Sequence, residues 1–138
     1  MKVLELKFTG QVHGGKNNYI VLRNGMHVPS KVFKQWRYAA ISQVVLQKPY
    51  QFKPLENPNL LWTIEYTPSD RRRRDMPAII DSLFHVIERT GFVVDDGIIK
   101  QINYRELPVD KMKAGVLIKA YSQEEPKNGN GTERDFSV

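Results

Sequence analysis

The chain has no cysteine, which excludes a disulfide framework, a thiolate metal site and a cysteine nucleophile. No apolar run approaches the roughly 18–20 residues of a membrane-spanning helix, so no membrane partner is expected. Neither the glycine-rich phosphate loop of the Walker type nor any zinc-ligand spacing occurs. The N-terminus alternates charged and apolar residues from Lys2 to Phe8, unlike a secretory signal, and the expected location is cytoplasmic. Aspartate is absent from the first 69 residues, and six of the seven aspartates fall between Asp70 and Asp110.

Positive charge is abundant and unevenly spread. The 138 residues hold 21 Lys plus Arg against 15 Asp plus Glu, a net +6. Residues 1–68 carry all of that excess, residues 69–121 carry +2 and residues 122–138 carry −2. A basic surface attracts phosphate backbones. Short carboxylates gathered within it need a stabilising partner, and a divalent metal is one. The length suits a single domain with a real core.

Alternation over residues 2–9 reads as a strand. The stretch 10–18, with three glycines, reads as a loop. Arg23-Asn24-Gly25 between short apolar runs signals a hairpin. Ser30 suits a helix N-cap, and Val32, Phe33, Trp36, Ala40, Val44 and Val45 keep helical spacing through about Gln47. Residues 59–67 read as a strand. A second helix spans residues 76–90, with Ile79, Ile80, Leu83, Phe84 and Ile87 as its buried stripe and Gly91 ending it. Asp95-Asp96-Gly97 forms a turn, and residues 98–105 and 114–121 form two closing strands. The expected fold is α+β: one small domain over residues 1–121, a mixed sheet of about five strands and two main helices. Residues 122–138 form an acidic tail with few apolar groups, expected to be disordered.

Two motifs carry chemistry. Arg71, Arg72, Arg73 and Arg74, bracketed by Asp70 and Asp75, repel one another until a polyanion or carboxylates neutralise them, and the guanidinium fork suits phosphate oxygens. Asp95 and Asp96 are adjacent carboxylates that a cation would relieve. Asp75 lies some 20 residues earlier, across one helix, and such a path can bring both ends to one sheet edge. Carboxylates gathered there suit Mg²⁺, which polarises a phosphodiester and activates water. Asp81, His85 and Glu88 share one helix face at i, i+4 and i+7. Asp81 is placed near the metal, with His85 in support.

These residues resemble the RusA-type Holliday junction resolvases, small Mg²⁺-dependent homodimeric endonucleases that cut four-way DNA junctions. The resemblance is strongest over residues 64–96: Ile64-Glu65, the run Asp70 through Asp75, the apolar helix, Gly91-Phe92 and Asp95-Asp96. A weaker match covers Asn17-Asn18-Tyr19, Gly25, His27-Val28, Ser30 and Trp36-Arg37. The resemblance implies a RusA-like fold, with Asp75 and Asp96 as catalytic aspartates. Two positions depart from the family pattern. Where the family has Asp-x-Asp-Asn, this chain has Asp75-Met76-Pro77-Ala78, and the family's lysine is replaced by Asp81. Pro77 suits the first turn of a helix, and Asp81 lies one turn further on the same face, from where it supplies a carboxylate toward the same metal.

The sequence therefore leads to a Mg²⁺-dependent endonuclease that resolves branched DNA as a homodimer. Asp75, Asp95, Asp96 and Asp81 form its catalytic set, with Asp75, Asp96 and Asp81 on the metal. DNA contacts are assigned to the four arginines, to Lys31, Lys34 and Arg37 on the first helix, and to Lys16, Asn17 and Asn18 in the loop. One alternative is a catalytically impaired relative that binds branched DNA without cutting. Another is a single-strand binder that stacks bases on Tyr19, Tyr38 or Tyr104.

Overall fold

The computed structural model describes residues 1–13, 19–72 and 74–123. Among them the chain forms strand β1 (Lys2–Thr9), strands β2 (Tyr19–Val21) and β3 (His27–Pro29), helix α1 (Lys31–Val45) and strand β4 (Leu60–Thr67). Helix α2 (Met76–Arg89), strand β5 (Gln101–Glu106) and strand β6 (Gly115–Ser122) follow. The fold is α+β. Four strands make a mixed sheet in the order β1-β6-β4-β5, and β2 and β3 form a separate two-stranded ribbon. Only β4 and β5 run parallel, and α2 makes the crossover between them, as a parallel pair requires.

Alternation decides which side of each strand is buried. Leu4, Leu6 and Phe8 of β1 lie level with Ala120, Ile118 and Val116 of β6, which face Trp62, Ile64 and Tyr66 of β4. All are buried in one cluster with Ala40 and Val44 of α1 and Ile79, Leu83, Val86 and Ile87 of α2. Both helices therefore cover one face of the sheet. Trp62 and Phe84 meet edge to face at 5.3 Å. The other face carries Glu5, Lys7, Thr63, Glu65 and Lys119, all partly or fully exposed.

The helices begin and end where their residues dictate. Ser30 caps α1, its hydroxyl accepting from the Phe33 N–H at 3.2 Å. Asp75 caps α2 by accepting from the Ala78 N–H at 3.4 Å. Gly91 adopts φ +80° just past α2, a left-handed conformation that glycine reaches without steric penalty. The Lys48 ammonium accompanies this end, bonding the Thr90 carbonyl and lying 5.1 Å from the Phe92 ring centre.

One edge of the sheet is closed by side chains. The Gln47 amide of α1 accepts from the Lys7 N–H at 2.8 Å and donates to the Lys7 carbonyl at 2.7 Å. One helical turn earlier, Gln43 accepts from the Thr9 N–H at 2.8 Å. Two glutamines thus take hydrogen bonds that a further strand would otherwise make with β1.

Two details differ from the expectation. The hairpin does not join the main sheet. Residues 98–100 are not in a strand, because Asp96–Ile98 form a 3-10 turn and β5 begins at Gln101. Asp95 starts that turn by accepting from the Gly97 N–H at 3.2 Å. At the other end, β6 runs through Ser122, and the rest of the tail from residue 124 lies outside the described residues.

Candidate metal centre and nucleic-acid surface

The arginine run leaves the end of β4 and divides into two roles. Asp70 turns the chain by accepting from the Arg72 N–H at 3.0 Å. Arg74 folds inward. Its guanidinium reaches the Asp70 carboxylate at 2.6 Å, the Asp70 carbonyl at 3.1 Å and the Arg72 carbonyl at 2.5 Å. It also reaches the Gln11 side-chain oxygen and the Tyr66 hydroxyl, each at 3.3 Å. It stands 5.7 Å from the Tyr66 ring centre, and only 8% of the side chain is exposed. The assignment of Arg74 to DNA is therefore corrected. Its donors are occupied within the chain, and the Tyr66 hydroxyl also accepts from the Val12 N–H at 3.2 Å.

Arg71 and Arg72 point outward, and Arg72 has 82% of its side chain exposed. Asp70 is held below the usual carboxylate range, first by the Arg72 backbone N–H and then by the hydrogen bond and charge of Arg74. Arg73, Lys16, Asn17 and Asn18 lie outside the described residues. On α1, Lys31 and Lys34 are exposed, whereas Arg37 is half-buried with its guanidinium 5.6 Å from the Phe33 ring centre. Tyr38 is exposed. Tyr104 is half-buried, and its hydroxyl has no hydrogen-bond partner among the described residues. Burial first, then the Glu106 charge, pushes that hydroxyl up to about 12.

The acidic residues assemble around the second half of α2. Glu88 accepts from the Asp96 N–H at 3.2 Å, which draws the Asp95-Asp96 turn against the helix. One oxygen each from Glu88, Asp95 and Asp96 lies within 4.8 Å of the others, the one such group among the described residues. Asp96 is held above the usual carboxylate range. The Glu88 charge contributes most, followed by a hydrogen bond with Asp95, slight desolvation and the charges of Asp95 and Asp81. The three donors are carboxylate oxygens, a set that could hold a metal ion.

Asp96 was expected on the metal and Asp95 in the catalytic set, and both lie in this group with Glu88. Glu88 was read only as part of a helix face, although its i+7 spacing from Asp81 put it on the correct side. Asp81 is exposed and outside the group of three, but close enough for its charge to act on Asp96. Asp75 also stands outside it. Thirteen residues of helix separate Asp75 from Glu88, about 20 Å at 1.5 Å per residue, so the two ends of the Asp75-to-Asp96 path do not meet at one sheet edge. The Asp75 carboxylate is engaged instead as the cap of α2.

No protein-family model matches this chain. A search of curated proteins finds no match either. The likeness to the RusA-type resolvases rests on the residues quoted for it above. Among the described residues no helix is long and apolar enough to cross a membrane.

Proposed function

We propose that this protein is a divalent-cation-dependent nuclease of branched DNA that works as a homodimer. The observation that carries this reading is the convergence of Glu88, Asp95 and Asp96 within 4.8 Å on a chain of net charge +6. Glu88, Asp95 and Asp96 would hold Mg²⁺, with Asp81 adding negative potential beside them. When bound, the ion supplies Lewis-acid polarisation of a phosphodiester and a more acidic water. Arg71 and Arg72, on an exposed loop, and Lys31 and Lys34, on the first turns of α1, supply phosphate contacts that need no base reading. Two-fold symmetry would match the symmetry of a four-way junction and give each cut strand its own site.

A second reading, junction binding without cutting, is favoured by the engagement of Asp75 as a helix cap and by Pro77 and Asp81 at two positions of the resemblance. Incubation of the protein with a synthetic four-way junction and Mg²⁺ separates the two. The expected result is nicking, lowered by about 10- to 100-fold in Asp96→Asn and in Glu88→Gln, with gel-shift affinity unchanged or tighter. Wild-type binding without nicking would support the second reading. Equal affinity for junction and linear duplex would overturn both.

A further inference from the structure

The two edges of the main sheet are treated differently. The β1 edge is closed by Gln43 and Gln47, whereas β5 pairs only with β4, and its outer edge has no strand against it among the described residues. An unpaired edge is a template for another strand. Beside it lies a groove of about 640 Å³, lined by Met76 and Ile80 of α2, by Ile102, Asn103, Tyr104 and Arg105 of β5, and by Thr63 and Glu65 of β4, where Arg105 pairs with Glu65 at 2.5 Å. Met76 and Ile80 are four residues apart, one above the other on the helix, and Met76 is 48% exposed. An apolar flank along an open strand edge is a place where another sheet edge gains both backbone hydrogen bonds and buried area.

We propose that the occupant is a second copy of this chain, its β5 lying antiparallel to the first about a two-fold axis through Asn103. The sequence of β5 is complementary to itself in this register. Directly opposed residues in an antiparallel pair share a face of the sheet. An axis at Asn103 therefore sets Lys100 opposite the partner's Glu106, Ile102 opposite the partner's Tyr104 and Gln101 opposite the partner's Arg105. Symmetry makes each of these pairs occur twice. Moving the axis to Tyr104 sets Ile102 against the partner's Glu106, and moving it to Ile102 sets Lys100 against the partner's Tyr104. Both neighbouring registers oppose a charge to a large apolar or aromatic side chain. Lys100 and Glu106 are exposed, so neither has to leave a buried site to make its pair. The result is a continuous eight-stranded sheet with both α2 helices on one face. This inference assigns a surface to the homodimer proposed above, but it does not depend on DNA cleavage.

The test is sedimentation equilibrium of the full chain without DNA. The wild type is expected at twice the 16.0 kDa of one chain. Lys100→Glu and Glu106→Lys each replace two unlike pairs with two like pairs, and should weaken association by about tenfold or more. The combined Lys100→Glu/Glu106→Lys variant restores unlike pairs and should recover the wild-type dimer, which a general folding defect would not do. A wild type that stays at the mass of one chain overturns the proposal. So does a dimer that neither single reversal weakens, since its contact would then lie on another face.

Discussion

Asp96 shows how one side chain reports on its neighbours. Its carboxyl titrates above its usual range because Glu88 and Asp95 crowd it with negative charge. A carboxyl whose pKa is raised on folding binds its proton more tightly in the folded state. Stability therefore falls as pH rises from the unfolded pKa through the folded one, and the penalty is absent below both. Removing the largest source, in Glu88→Gln, should bring the Asp96 titration down toward that of an ordinary aspartate, measured by carboxyl-carbon NMR. Millimolar Mg²⁺ should do the same in the wild type, because the cation competes with the proton for the same oxygens. A titration that Mg²⁺ leaves unmoved would show that these three carboxylates hold no such ion. Arg74 teaches the opposite lesson. Four consecutive arginines look alike in sequence, and what singles out Arg74 is the arrival of Gln11 from a distant part of the chain, beside Tyr66 at the end of β4.

At the scale of elements, α2 was legible in nearly every respect. Its buried stripe, its proline in the first turn and its terminating glycine all follow from local rules. The cap was not read: Asp75 was assigned to the metal, although an aspartate just before a helix start also fits an N-cap. Asp75 at the helix start engages its carboxylate with the Ala78 N–H, and a side chain used as a cap has a structural reason for being an aspartate. Asp75→Ala should destabilise the fold by about 1 kcal/mol in chemical denaturation, whereas Asp75→Asn, an equally good cap, should not. If capping is its whole role, Asp75→Asn also keeps any Mg²⁺-dependent nicking, while Asp96→Asn lowers it. The partnership of Glu88 with the Asp95-Asp96 turn was beyond sequence reasoning. It depends on how the chain folds back after Gly91, where Phe92 and Val93 enter the core and Val93 bridges Leu55. That path is set by tertiary packing, and no local pattern encodes it. The hairpin was likewise readable as a hairpin, but its separation from the main sheet was not, because a three-residue strand carries no signal of its neighbour.

For the whole molecule, the charge arithmetic and the alternation of the long strands bounded the outcome: a small basic α+β domain with one core. The glutamines that close the β1 edge then limit what such a domain can build. A sheet free at both edges has a valence of two, and its copies would add end to end without limit. With β1 occupied by its own helix, each copy would have a valence of one under the proposed β5 pairing, and edge-to-edge growth would terminate at a pair. Replacing Gln43 and Gln47 with alanine should raise that valence, and light scattering of the variant should show species heavier than a dimer, growing with protein concentration. The side-chain amides of α1 would then act as chain terminators, keeping a protein with an exposed strand from becoming the monomer of a fibre.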